Sequence, residues 1–301
     1  LVNLTVCIHY TMSISRQNLS IVIVTLRSEK VIDRCISSIN KDLPIIVVEN
    51  SDNLEFKNYL ESTYKNVKCI LSKKNIGTGS GYNIGIKLAK TEYVYVINPD
   101  VVLEDNTLEE IFLASTKLSD FSILSPISSD IKYPNYSMTK ERKNYEKNDS
   151  PFKVKYVDGF SMLLNKNKFK NDEYFDENFF MYWENNDICV RAINNGGSVF
   201  VIPKAKIKHF GASAVDPKFF NEVELSRNWH WMWSTFNYHR KYKGFFISLL
   251  IVLPKLLSAI VKVLVYTLTF NHAKKKIYSQ RLSGLINAIM GKTSWYRPKV
   301  Q

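Results

Sequence analysis

Ser20-Ile21-Val22-Ile23-Val24-Thr25 is a short β-branched run bounded by polar residues, and it reads as a buried strand. Downstream, Val31, Ile32, Cys35, Ile36 and Ile39 fall at helical spacing. Pro44-Ile45-Ile46-Val47-Val48-Glu49 then gives a second buried strand, and Lys68-Cys69-Ile70-Leu71 a third. The glycine-rich stretch Asn75 to Gly85 leads into a helix through Ala89. Tyr93-Val94-Tyr95-Val96-Ile97 forms a fourth strand that ends in Asn98-Pro99-Asp100. Strand, helix, strand in this order is the grammar of a parallel α/β sheet, buried on both faces. Such sheets bind ligands at the carboxyl ends of their strands. Thr25 with Arg27, Glu49 with Asn50, and Asp100 all stand at those ends.

Outward from this half-sheet, segment 127–153 is polar and reads as a loop. Tyr156 to Leu164 reads as a strand carrying the turn Asp158-Gly159, and Ser198 to Ile202 as another strand. An aromatic and acidic cluster fills 174–187. The stretch from Arg227 to Arg240, rich in Trp and Tyr, reads as a helix packed on the domain and bridging to a membrane. No internal repeat is visible. The organisation expected is an N-terminal extension over 1–18 outside the fold, an α/β domain over 19–239 and a C-terminal region over 240–301.

Charge is placed unevenly along the 301 residues, whose formal net charge is +13. From Arg240 onward there are twelve Lys or Arg and no Asp or Glu, which leaves 29 basic against 28 acidic side chains in 1–239. The same tail carries long apolar runs between 245 and 266, more than a nucleic-acid arm needs. An anionic membrane surface fits both features, and no nucleic-acid partner is expected. A single helix over 245–270 is long enough to span a bilayer but would take Pro254, Lys255 and Lys262 into hydrocarbon. The two lysines are seven residues apart on one helix face, which favours one or two helices lying in the interface with both lysines toward the headgroups, ahead of a tilted span or a buried core helix. Cys7, Cys35, Cys69 and Cys189 form no Cys-x-x-Cys pair, so they read as thiols in a reducing compartment, not a zinc cage or redox motif.

The glycines at 77, 79, 81 and 85 match neither a Walker loop nor a dinucleotide fingerprint, which argues against ATP hydrolysis and NAD chemistry. They permit a close backbone approach to a nucleotide, or only a tight turn. Asp100, beyond a strand and a proline, can hold a divalent cation against a diphosphate, or serve the turn itself. A helix over 184–195 puts Glu184 and Asp187 one turn apart near its start. One of the two can accept a proton from an acceptor hydroxyl, while Asp187 can also pair with Arg191. His209 becomes a natural partner ligand if Asp100 holds a metal.

Taken in order, Ile21 to Thr25 with Ser28, Val47 to Asn50, Asn75-x-Gly77 through Asn83-x-Gly85, Asn98-Pro99-Asp100, Phe175-Asp176-Glu177 through Arg191, and His209 to Ser213 resemble family 2 glycosyltransferases. Within that family the likeness is to rhamnosyltransferase-like enzymes of bacterial O-antigen and capsule assembly. The resemblance implies a GT-A fold, with a Rossmann-like, mostly parallel sheet, flanking helices and C-terminal apolar helices on the membrane. It implies an inverting transfer from a nucleotide diphosphate sugar, with dTDP-rhamnose first and UDP-linked galactofuranose or hexose next. The acceptor would be a polyprenyl diphosphate-linked saccharide at the cytoplasmic face of the bacterial plasma membrane, with the protein peripheral. Thr25, Arg27, Glu49, Asn50, Asn75, Gly77, Asn83 and Asp100 would form the donor site, with manganese or magnesium on Asp100 and His209. Asp158, Gly159 and Trp183 would face the acceptor, with Glu184 and Asp187 as the catalytic acids. One departure matters: Asn185 stands where the family usually carries a second acid, the usual base. The role then passes to Glu184 or Asp187, or the chain is a catalytically impaired sugar-nucleotide binding protein. A nucleotidyltransferase is disfavoured, because Thr25-Leu26-Arg27-Ser28 lacks a basic glycine-rich loop.

Overall fold

Every residue of β1 (Leu19–Thr25) is buried, because helices cover the sheet on both sides. The computed structural model describes residues 13–118, 120–129, 135–137, 149–211 and 213–300. Within them the chain proceeds through α1 (Ile32–Ser37), β2 (Ile45–Glu49), α2 (Leu54–Thr63), β3 (Val67–Leu71), α3 (Thr78–Leu88), β4 (Tyr93–Ile97), β5 (Val101–Leu103) and α4 (Thr107–Ser115). There follow β6 (Phe121–Ser128), β7 (Tyr136–Ser137), β8 (Phe152–Lys153), β9 (Tyr156–Val157), β10 (Ser161–Asn165), α5 (Glu184–Asn194) and β11 (Ser198–His209). Three helices end the chain: α6 (Phe220–Lys243), α7 (Phe245–Leu268) and α8 (His272–Ile289).

The main sheet runs β3-β2-β1-β4-β10-β6-β11-β5, with β8 joined to β11. It is parallel from β3 to β4, where the sequence indicates βαβ units. Beyond β4 it is mixed: β10 is antiparallel to both β4 and β6, while β6 and β11 are parallel. Asp158-Gly159 separates β10 from β9, which pairs with β7 in a second, two-stranded sheet. Alternation along β1 divides two cores. Leu19, Ile21 and Ile23 pack with α1, α2 and α4, while Val22 and Val24 pack with α3 and α5. Residues 13–18, set outside the fold on sequence, pack onto it: Ile14 is 3% exposed and its N–H donates to Ser115 Oγ. Residues 1–12, and most of the loop expected over 127–153, lie outside the described residues.

A third core joins the C-terminal helices to the domain, with Trp229, Met232 and Phe236 of α6 meeting Val252, Leu285, Ala288 and Phe179. Among the described residues, α7 is the one helix long and apolar enough to cross a membrane, with a mean hydropathy of 2.2 in its best window. Pro254 sits inside it. Ser248, Val252, Lys255, Ala259 and Lys262 share one face. Lys262 Nζ reaches Tyr278 Oη of α8 at 3.2 Å and Ser248, Val252 and Ala259 are buried, so this face is turned toward protein except at Lys255, which is exposed. The opposite face presents Phe246, Leu250, Leu253, Leu257, Val261, Leu264 and Leu268, all exposed and with no charge among them.

Candidate active site

The carboxyl ends of β1 and β2 lie side by side, with Thr25 in register with Glu49. Glu49 is fully buried and its carboxylate is enclosed by donors. It accepts from Thr25 Oγ1 at 2.5 Å, from the Ser51 N–H at 2.6 Å and from the Ser51 hydroxyl. Burial pushes its pKa up, and the Ser51 and Thr25 bonds oppose that rise. Asn50 ties the next layer, donating to Gly77 O at 3.2 Å and accepting from Ser72 Oγ at 2.9 Å. Gly77 occupies φ +88, and a Cβ there would stand 2.3 Å from Phe180 O, so only glycine fits. The Asn75 side chain accepts from the Gly77 N–H at 3.1 Å. Above this floor lie two adjoining cavities, both bordered by Asn50, Asn75 and Pro298. One, of 980 Å³, is walled by Ser51, Lys73 and Lys74. The other, of 290 Å³, is lined by Thr25, Gly77, Pro99, Asp158, Gly159, Glu184 and Arg227.

Asp100 follows β4 and is 3% exposed. His209 ends β11, held beside Val101 by the antiparallel β5 pairing, and its Nε2 stands 3.4 Å from Asp100 Oδ1. Phe160 stacks on the imidazole at a centroid distance of 4.0 Å. Asp100 Oδ1 is buried without a hydrogen-bond donor. An orphaned carboxylate oxygen beside an imidazole is a donor pair that suits a divalent cation whose remaining ligands come from a diphosphate and water. No cluster of three His, Cys, Asp or Glu occurs among the described residues, so such an ion would depend on those outside ligands. Asp158 is half-buried, and desolvation raises its pKa against the opposing pull of His209.

Glu184 opens α5 and lines the smaller cavity at 9% exposure. Its Oε2 has no hydrogen-bond partner. Burial lifts its carboxyl from the ordinary 4.5 to about 7, the range in which a carboxylate works as a base near neutrality. Asp100 and His209 line neither cavity, but Asn98 and Pro99, which lead into Asp100, border the one that holds Glu184. The buried Tyr82 hydroxyl, pushed well up mainly by desolvation, is raised further by the Glu184 and Asp100 carboxylates. Asn185 borders the same cavity and donates to Val157 O at 2.8 Å, clamping the strand before the Asp158 turn.

Four residues assigned to the site by sequence serve other contacts. Asp187, on α5, is fully buried against α6 and bound by Arg191 at 2.8 Å, Lys241 at 2.6 Å and Tyr242 at 2.7 Å, so its oxygens hold α6 to α5 and line neither cavity. Asn83 exchanges hydrogen bonds with the backbone of Phe175, because the segment before α5 needs an anchor on α3. Trp183 stacks on Tyr238 and donates to Thr235, which turns it toward α6. Arg27 borders neither cavity directly, and its Nε donates to Val300 O at 2.8 Å. The glycines of α3 also act structurally: a Cβ on Gly85 would lie 2.3 Å from Val22 Cγ1, so they let the helix settle on β1.

Two groups escape the sequence reading. Arg227, on α6, faces the Glu184 cavity without a carboxylate partner among the described residues. Its signal, a basic residue inside an aromatic helix, is indistinguishable from a solvated face. The segment 297–300 leaves α8 and returns to wall both cavities, with Pro298 shared between them. No local sequence signal marks this return, since α8 already ends at Ile289.

Residues 20–183 match the family model described as Glycosyl transferase family 2. The chain is 28% identical over 193 residues to the low-salt glycan biosynthesis hexosyltransferase Agl10 of Haloferax volcanii, covering 58% of this chain and 61% of that protein. It thus spans about three fifths of that relative's length. It is 27% identical over 247 residues to the rhamnosyltransferase WbbL of Escherichia coli K12, covering 72% of this chain and 91% of that one. In fold it is similar to the mannosyltransferase PcManGT of Pyrobaculum calidifontis, solved with GDP-Man and Mn2+. That likeness has a TM-score of 0.55 at 10% identity and covers 91% of this chain and 88% of the other.

Proposed function

The chain belongs to glycosyl transferase family 2, and from that membership we propose that it moves a sugar from a nucleotide diphosphate donor onto a hydroxyl of a lipid-linked saccharide. The observation that carries the reading is Glu184, an unpaired carboxyl raised to about 7 in the cavity formed by the strand ends. The nucleoside diphosphate occupies the larger cavity beside Lys73 and Lys74, over the floor made by Glu49 and Asn50. Asp100 and His209 would hold manganese or magnesium, which would neutralise charge on the departing diphosphate.

Transfer is a single displacement with inversion. The acceptor oxygen forms a bond to the anomeric carbon while the bond from that carbon to the diphosphate breaks. The hydroxyl proton passes to Glu184, which accepts it as the carboxylate. Arg227 adds positive charge to the same cavity. The rhamnosyltransferase relative, matched over nearly all its length, supports dTDP-rhamnose as donor ahead of UDP-linked galactofuranose or hexose.

The apolar face of α7 and the twelve cations from Arg240 onward suit a peripheral position on the anionic cytoplasmic face of a bacterial plasma membrane. A panel of nucleotide sugars, screened by thermal unfolding with and without manganese, tests the donor assignment. One sugar nucleotide should raise Tm in a metal-dependent way, and Asp100→Ala should remove the metal dependence. No stabilisation by any donor would overturn the reading. Stabilisation without turnover would assign a sugar-nucleotide binding protein.

A further inference from the structure

Next to the reaction cavity, a separate cavity of 500 Å³ opens between segment 176–180, the end of α6 and the chain that follows α8. Arg240, Lys241, Lys292 and Arg297 line it, opposite Asp176 and Glu177. Both acids are occupied. Asp176 pairs with Lys241 at 2.7 Å, and Glu177 accepts from Asn83 at 3.0 Å. Lys241 is in turn held between Asp176 and Asp187. Arg240, Lys292 and Arg297 have no carboxylate partner among the described residues. Arg297 lies 3.8 Å over the Phe180 ring and is partly desolvated without a counter-charge. Three cations without a carboxylate partner, one from α6 and two from the chain after α8, line this cavity and form a site for a polyvalent anion, with Arg297 also bordering the donor cavity.

Its position narrows which anion. Phe180 lines both this cavity and the one holding Glu184, so the two are a ring apart. On the other side, Arg240 lies near Phe245, the first residue of α7, whose neighbour Phe246 is 80% exposed. The cavity therefore lies between the apolar face and the reaction site. We propose that it receives the diphosphate of the acceptor, with the acceptor's sugar reaching Glu184 and its lipid chain following α7. This rests on the lipid-linked reading given above.

The test is a full-length Arg240→Gln/Lys292→Gln double variant, since neither residue lines the donor or reaction cavity. Inorganic pyrophosphate and farnesyl diphosphate are titrated calorimetrically with the donor cavity saturated by the best-stabilising nucleotide diphosphate. Both probes should bind wild type and bind the variant about tenfold more weakly, with nucleotide affinity unchanged. Arg240→Lys/Lys292→Arg should restore binding. In transfer assays the double variant should raise KM for the lipid-linked acceptor about tenfold and leave the donor KM alone. Equal affinity of both probes for variant and wild type would overturn the proposal. So would a variant that loses binding only to phosphatidylglycerol vesicles, because its cations would then serve membrane headgroups. If the probes behave as expected while no nucleotide sugar is turned over, this anion site stands and the transfer reading falls.

Discussion

Glu184 and Asp187 are one helical turn apart, and what their oxygens touch separates their roles. Three donors hold Asp187, whereas Glu184 keeps one buried oxygen free. Sequence places both acids near the start of a helix and anticipates the Arg191 pair, but Lys241 and Tyr242 arrive from α6, more than 50 positions away. No local pattern encodes that approach. Removing one partner of a buried pair leaves uncompensated charge. Asp187→Asn should therefore cost about 3 kcal/mol of stability in urea denaturation while kcat per folded molecule stays within about threefold of wild type. A large loss of kcat at unchanged stability would return Asp187 to the chemistry.

At the scale of elements, the βαβ half was legible because it is written in local periodicity. β1 and β4 begin and end within a residue of the β-branched and aromatic runs that announce them. The glycines were visible as a turn signal, but their purpose depends on what lies opposite them. Gly85→Ala should destabilise by about 1–3 kcal/mol, the cost of overpacking against Val22, and Val22→Ala in the same chain should recover part of it. Additive losses in denaturation would contradict the close helix–strand contact. The mixed half of the sheet was less legible, since β5, β6 and β8 are short or lie near polar sequence and their pairing is set by β11.

For the whole molecule, charge and hydropathy announced a C-terminal region suited to a membrane, and α7 carries that character on one face. The return of 297–300 to the donor cavity was not legible, because it depends on the path α8 takes beside α6. Deleting the region would thus open the site as well as remove the helix, and substitution is the cleaner probe. Leu250→Asp/Leu257→Asp/Leu264→Asp should release the protein from anionic vesicles in sedimentation and keep donor binding. Continued pelleting would remove α7 as the anchor.

These scales converge on whether the Glu184 carboxylate takes the acceptor's proton, and the pH dependence of kcat for wild type and Glu184→Gln measures it. Because burial raises this carboxyl, its base form is scarce below about 7 and dominant above, so wild-type kcat should climb through that pH to a plateau. Glu184→Gln should be about 10²–10⁴-fold slower and insensitive to pH across the same range, with donor affinity intact. A Glu184→Gln enzyme that transfers sugar at the wild-type rate with the wild-type profile would contradict the role given to Glu184.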